Sequence, residues 1–544
     1  MNHYFIIIFL ILLSSCNAIN QQNNQAESRP NIIFLITDDQ ARSDFNFLPE
    51  GRGKEGTASN LTPTIDKLHQ EGLYFSQMYC ASTVCAPSRF NCMTGLYASR
   101  SQQPRPENDH QVRVDWATPV TAETTTLPEL LQQNGYLTGL TGKIHAIKKQ
   151  GLKEISMDAD PSDPEISQLL EANQQQLRES VKAVGYDYAA SIYPGNPFDF
   201  KGPDELRVHN LEWIFKGAFD FLDLAKQDKK PFFLWLSTTI PHVPLNPERS
   251  FLANPLATPA GYLEDTIRII PPRHQIPQRL RDAGIDGWIN RKANLTWLDD
   301  CIGALMNKLE ETGFDENTII FYFNDHGTEP GGKGSLYQNG VRSIAFAWAK
   351  QFIKGQRNTG QLVQNIDFTP TILELAGMKS DTIQFDGVSF YHLLNGEEKP
   401  VHQSMFFEMG NARAVIKDNM KYFAVRHPER IRNMSYEERK RLLDARREQA
   451  TSLGFDQWPI DDATRPFDHI GMFPGGFSFS WKAMELHPFY FDNNQLYDLN
   501  EDPEEKVNLF ADSTYLKEAA LLKAEMDRFV TELPGRFGTF GNKK

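Results

Sequence analysis

The sequence predicts an α/β fold: a large, central, mostly parallel sheet flanked by helices, with a smaller C-terminal α+β domain carrying an antiparallel sheet. Three observations lead there. Continuous apolar runs recur at residues 31–37 (NIIFLIT), 231–237 (PFFLWLS) and 318–324 (TIIFYFN), the texture of strands buried on both faces. Helical stretches with apolar residues three and four apart fall at 64–71, 127–134, 211–226 and 294–312, and strands alternating with amphipathic helices favour parallel connections. Beyond about residue 395 the texture changes. Short alternating segments (SMFFEMG, ARAVIK, MKYFAVR) give way to a charged helical stretch at 436–449, the block LYDLNEDPEEKVNL and a last helix near 515–531.

The N-terminus reads as an address. Its apolar run, residues 4–13, is shorter than the roughly 20 residues needed to cross a bilayer but suits the hydrophobic region of a signal peptide. Leu13-Ser14-Ser15-Cys16 follows and resembles a bacterial lipobox, in which cleavage precedes a Cys that carries a lipid. The expected organisation is a lipoprotein-type signal peptide at 1–16 and a flexible tether at 17–29. A catalytic domain at 30–395 and the α+β subdomain at 396–544 complete it. The protein is thus expected to be exported, in the periplasm or at the outer membrane or cell surface, and held to the membrane through Cys16.

Composition narrows the function. Hydrophobic residues at 40% and charged residues at 23% exclude a mostly disordered chain. A net charge of -14 without a basic stripe argues against nucleic acid as a partner. Any anion site must then be a local cationic pocket inside a negative envelope. The 5 cysteines, Cys16, Cys80, Cys85, Cys92 and Cys301, show no paired spacing of a zinc site.

Open α/β sheets place chemistry at the carboxyl ends of their strands. Three of the apolar runs end on or near Asp38-Asp39, His242 and Asp325-His326. Two carboxylates closing a buried strand need a cation to join them, and a third from Asp325 suits a hard, oxygen-loving divalent ion. The dipeptide alone is not the signal, because Asp299-Asp300 and Asp461-Asp462 repeat it without an evident role. A further cluster is Cys85-Ala86-Pro87-Ser88-Arg89, then Thr94-Gly95. Pro near a helix start places Cys85 at a helix N-terminus, which favours an anion, and Arg89 falls on the same face one turn on. By residue types alone this is also a buried cysteine beside a capped helix.

C-x-P-S-R-x4-T-G resembles the hallmark of the type I sulfatases, within the alkaline-phosphatase-like superfamily. Other segments are similar to family motifs in the same order: 31–40 (NIIFLITDDQ), Gly142-Lys143-Ile144-His145, Pro241-His242, Asn324-Asp325-His326-Gly327, Gly332-Lys333-Gly334-Ser335 with Asn339-Gly340-Val341-Arg342, and residues 496–509. The resemblance implies that a formylglycine-generating maturation enzyme oxidises Cys85 to Cα-formylglycine. It implies one Ca2+ held by Asp38, Asp39, Asp325, His326 and the residue at 85, with His326 standing where many family members carry Asn. It assigns Arg89, Lys143 and Lys333 to the sulfate and the nucleophile, His145 to the hydrated formylglycine, and His242 or Lys333 to the leaving oxygen. The expected reaction is hydrolysis of sulfate esters on a sulfated oligo- or polysaccharide. Arg105, His110 and Arg113 are candidates for contacts to a uronate or second sulfate, and residues 469–481 (HIGMFPGGFSFSW) for stacking sugars. A phosphoester or phosphonate hydrolase of the same superfamily, or a non-catalytic glycan-binding lipoprotein, are the rival readings.

Overall fold

The computed structural model describes residues 29–541 except 54, 105, 107–108, 286–289, 354–356, 379–382, 453–462 and 464–479. The expected signal peptide, nearly all of the tether, Arg105 and most of the aromatic stretch at 469–481 therefore lie outside the described residues. No helix among those described is long and apolar enough to cross a membrane.

Eight strands among the described residues form the main sheet: β1 (Asn31–Thr37), β2 (Leu73–Phe75), β3 (Leu137–Lys143), β4 (Tyr188–Tyr193), β5 (Phe232–Ser237), β6 (Thr318–Asn324), β7 (Ala345–Trp348) and β8 (Arg357–Thr359). Their order is β8-β2-β7-β6-β1-β5-β3-β4. β1 pairs in parallel with β5 on one side and β6 on the other, and β3 runs parallel to β5 and β4. β7 is antiparallel to both β6 and β2. The three apolar runs read from the sequence are thus the three adjacent strands at the middle of the sheet. Ile32 to Ile36 are wholly buried, and each such side chain contributes about 1.5–3 kcal/mol through burial. Even residues of β1 enter the hydrophobic cluster on one face of the sheet, and odd residues enter the other, as the two-residue period of a strand requires.

The flanking helices include α1 (Pro63–Glu71), α2 (Cys85–Thr94), α3 (Leu127–Gln133), α4 (Pro164–Lys182), α5 (Leu211–Asp228) and α6 (Asn290–Thr312). Pro at the first turn starts α1, α3 and α4, while Asp163 and Asn210 side chains cap α4 and α5, satisfying amides that no preceding turn can reach. Two elements differ from the apolar-run reading. β3 (LTGLTGK) is rich in Thr and Gly yet fully buried, so its texture hides it. α4 is dominated by Gln and Glu with only Leu170, Leu177, Val181 and two polar residues buried, too sparse a stripe to stand out.

Past helix Tyr391–Leu394 the chain forms a second, antiparallel sheet of β9 (Met405–Met409), β10 (Ala412–Lys417), β11 (Met420–Val425) and β12 (Asn494–Asp498), in that order. The three alternating segments supply β9 to β11. Helices Tyr436–Ser452 and Leu516–Glu532 follow the expected positions to within a few residues. Cys80, Cys85, Cys92 and Cys301 are all free thiols, so no disulfide staples the described fold.

Candidate active site

The carboxyl ends of β1, β3, β5 and β6 converge on one pocket. β1 ends at Thr37, and Asp39, two residues on, takes a left-handed φ of 61°, a conformation that Asp tolerates better than most residues. An extended chain would point consecutive side chains apart; with this turn both face the pocket, Asp38 toward Arg89 and Lys143 and Asp39 toward Lys333, His242 and His326. The Asp39 amide donates to Asp325 Oδ1 at 3.2 Å, and Arg291 Nη2 donates to the Asp39 carbonyl at 2.6 Å. β3 delivers Lys143 from a local irregularity. Gly142 has a φ of 91°, and a Cβ there would lie 1.8 Å from the Ser237 carbonyl oxygen, so only glycine fits.

Cys85 is the first residue of α2, a helix buried on every side and ended by Gly95 in a left-handed conformation. Its Sγ lies 3.5 Å from Asp38 Oδ1 and 3.6 Å from His326 Nε2. Within the same helix the Ser88 hydroxyl donates to the Asp325 carbonyl, and Asn365 Nδ2 donates to Ser88 Oγ at 2.9 Å. One turn beyond Cys85, Arg89 Nη2 reaches Asp38 Oδ1 at 3.5 Å and Asp325 Oδ2 at 3.3 Å, while its Nη1 donates to Ser237 Oγ at 2.5 Å.

Two lysines complete the charge balance. Lys143 Nζ sits 2.6 Å from Asp38 Oδ2 and donates to Asn196 Oδ1 at 2.7 Å. Lys333 Nζ lies 2.6 Å from Asp39 Oδ2 and 3.1 Å from His242 Nε2. His242 Nε2 also approaches Asp39 Oδ2 at 3.2 Å, and His326 Nε2 approaches Asp39 Oδ1 at 3.3 Å. Three carboxylates therefore face Arg89 and two ammonium groups. Burial alone would push Asp38 up, but Lys143, His242 and Arg89 together hold it well below the usual carboxylate range. Asp39 is likewise lowered against its burial by Lys333, His242 and His326. Burial pushes the Cys85 thiol well above its ordinary value, against the pull of Lys143 and Lys333; an unmodified Cys85 is a protonated, weak nucleophile. Burial and then Lys333 lower His242, and burial and then Lys143 lower His145. His145 follows β3, and its Nδ1 is buried without a hydrogen-bond partner among the described residues.

The second sheet braces this pocket. Lys421 on β11 donates to the Leu336 carbonyl and pairs with Glu505 at 2.7 Å. Glu505 also accepts from the Gln338 amide at 2.5 Å, so the loop bearing Lys333 is held from the C-terminal side.

The contacts just given join Asp38, Asp39, Cys85, Arg89, Lys143, His242, Asp325, His326 and Lys333. They do not extend to three other sequence candidates, His145, His110 and Arg113. His110 is exposed, and its carbonyl accepts from the Arg536 amide at 3.1 Å near the C-terminus; Arg113 Nε lies 3.4 Å from Asp115. Asn196, Ser237, Arg291 and Asn365 are supporting residues that the sequence reading missed. Asn196 precedes a proline, which signals a turn and nothing about a lysine partner; the others carry no local signature.

The arrangement fits a cation. Oxygen, nitrogen and sulfur donors of Asp39, His326 and Cys85 lie within 4.8 Å of one another, as do those of Asp38, Asp325 and Cys85. Carboxylate oxygens suit a hard divalent ion.

Comparisons with known proteins show the family to which the chain is similar. The sulfatase family profile matches residues 30–378, and a profile for the C-terminal part of N-sulphoglucosamine sulphohydrolase matches residues 332–448. Mouse (Mus musculus) N-acetylgalactosamine-6-sulfatase is 24% identical over 414 residues, 71% of this chain and 70% of that protein. An ulvan-active sulfatase of Formosa agariphila is 24% identical over 539 residues, 93% of this chain and 75% of its own. A solved sulfatase structure from work on glycosaminoglycan metabolism by Bacteroides thetaiotaomicron has a TM-score of 0.58 at 19% identity, covering 92% of this chain and 99% of that one.

Proposed function

The chain belongs to the sulfatase family of sulfuric ester hydrolases, and on that premise we propose that it removes sulfate from a sulfated carbohydrate through a nucleophile made from Cys85. The observation that carries this reading is the placement of Cys85 at the start of a buried helix, against Asp38 and His326 and in the electrostatic field of Lys143, Lys333 and Arg89. Relatives acting on N-acetylgalactosamine sulfate and on ulvan support a sugar substrate.

Asp38, Asp39, Asp325 and His326 would hold the family's metal ion beside residue 85, and the oxygen-rich donor set favours Ca2+. Bound there, the ion would supply two positive charges and Lewis acidity to a site whose own three carboxylates and three cations cancel. Oxidation of Cys85 to formylglycine by a maturation enzyme would replace a protonated thiol with a hydrated aldehyde, an oxygen nucleophile. Arg89, Lys143 and Lys333 would hold the sulfate oxygens as charge redistributes. His242 or Lys333, whose Nε2 and Nζ lie 3.1 Å apart, would return a proton to the leaving sugar oxygen, and His145 would accept one from residue 85 when sulfate departs. Residues 30–395 are read as the catalytic domain and 396–544 as its supporting subdomain. Export with a lipid anchor on Cys16, to the periplasm or the cell surface, completes the proposal.

The test is a desulfation screen on defined sulfated oligosaccharides, using protein co-expressed with a formylglycine-generating enzyme, together with the mass of the peptide spanning Cys85. Sulfate release that depends on a thiol-to-aldehyde mass change is the expected result. Full activity in a Cys85→Ala protein, or turnover of aryl phosphate in preference to every sulfate, overturns it.

A further inference from the structure

The loop that follows β4, residues 194–200 (PGNPFDF), touches the pocket at two points. Asn196 is buried, and its Oδ1 accepts from Lys143 Nζ at 2.7 Å. Two residues on, the Phe198 ring lies against His242, with centroids 5.7 Å apart and planes inclined at 38°. The loop backbone is tied down. The Asn196 amide donates to Asp199 Oδ2 at 2.8 Å, Lys149 Nζ to the Pro194 carbonyl at 2.8 Å, and Arg207 to the Phe198 carbonyl. Yet the Phe198 side chain stays 46% exposed, and Val243, the neighbour of His242, is 48% exposed.

Single exposed apolar residues are ordinary. This pair differs in place: a phenyl ring on an anchored loop and a valine flank the histidine whose Nε2 faces Lys333 and Asp39. We propose that Phe198, with Val243 beside it, is the platform for the sugar ring of the substrate. The apolar C–H face of a pyranose would stack on the phenyl face, whose negative quadrupole favours those hydrogens, while its sulfate enters between Arg89, Lys143 and Lys333. The ester oxygen then points at His242. Asn196 fixes both ends of this arrangement, holding the Lys143 ammonium and starting the turn that presents Phe198. The inference rests on reading the site as a carbohydrate sulfatase, and goes beyond it by naming where the sugar sits.

The experiment compares matured wild type, Phe198→Ala and Phe198→Trp on N-acetylgalactosamine 6-sulfate and on sulfated ulvan and glycosaminoglycan oligosaccharides. Inorganic sulfate serves as an inhibitor that probes the anion pocket alone. For the sugars turned over, Phe198→Ala raises KM by about tenfold with kcat changed by less than about twofold, the pattern of lost uniform binding. The inhibition constant of inorganic sulfate holds, and Phe198→Trp restores KM. Unchanged KM in Phe198→Ala, with wild type active on sugars, overturns the platform and leaves the sulfatase reading standing. A wild type that cleaves 4-nitrophenyl sulfate but no sulfated sugar overturns both the sugar reading and the platform.

Discussion

The dipeptide Asp-Asp occurs at 38–39 and again at 299–300, and the fold makes opposite uses of it. The first pair leaves the carboxyl end of a central strand, where Lys143, Lys333, Arg89 and His242 gather around it. Those partners outweigh burial and keep both groups ionised. The second pair lies inside α6. Asp299 accepts hydrogen bonds from the Thr64 and Ile65 amides at 3.0 and 2.7 Å, closing the start of α1. Burial pushes it up to about 7, and the two amides pull against that less strongly. Asp300 takes both arms of Arg279, at 2.6 and 2.9 Å. The same two residues thus serve chemistry at a strand end and architecture within a helix. What separates them is the number of fixed cations at close range, which residue type alone does not specify.

The largest expected effect breaks the pairs apart by function. In matured enzyme, Asp38→Asn and Asp39→Asn each lower kcat/KM for a sulfate ester by about a thousandfold, as expected when charge placed for the transition state is removed. Asp299→Asn and Asp300→Asn change turnover per folded molecule by less than about twofold. Active-site titration beside circular dichroism gives turnover per folded chain. A folded Asp299→Asn protein as impaired as Asp38→Asn would erase the distinction.

This contrast also marks what the sequence made legible. Asp38-Asp39 could be singled out because the apolar run NIIFLIT ends there, and a strand buried on both faces has to terminate at the edge where ligands bind. The helix start at Cys85 was legible from Pro87 and the position of Arg89. Asp299 and Asp300 gave no such sign, since the periodicity of α6 tells only that they are helical. Their partners, Thr64, Ile65 and Arg279, are supplied by tertiary packing. The same holds within the site: Asn196 and Ser237, which orient Lys143 and Arg89, come from distant segments joined only by the sheet. β3 stayed hidden because Thr and Gly, suited to a close backbone approach beside β5, dilute its apolar pattern.

A smaller effect lies in the pH dependence of stability. The folded value of about 7 for Asp299 stands above the value of about 3.9 expected unfolded. Between these values the folded chain binds more protons at this group than the unfolded chain does. Its contribution to stability therefore declines as pH rises from about 4 to about 7 and is level above that. Asp299→Asn lacks this titration, so the variant gains on wild type across the same window, by at most about 4 kcal/mol. Urea unfolding of both proteins at pH 5 and pH 8 measures the difference. No change in the difference between pH 5 and pH 8 would mean that Asp299 is already ionised in the fold at pH 5 and belongs with the first pair after all.

The smallest effect concerns Asp300, the member of the second pair that most resembles the first, since it too faces a cation. Its partner Arg279 is about a quarter exposed, so water can solvate the guanidinium when the carboxylate is lost. Arg89, by contrast, is buried between two carboxylates and has no such recourse. A double-mutant cycle with Arg279→Ala and Asp300→Ala should give a coupling of about 1 kcal/mol, reduced in high salt. Arg89→Ala with Asp325→Ala should leave little folded protein, because each single change strands a buried charge. If the Arg279–Asp300 coupling instead reached several kcal/mol and ignored salt, exposure would not be what weakens it. The division between the two aspartate pairs would then have to rest on the geometry of the strand end alone.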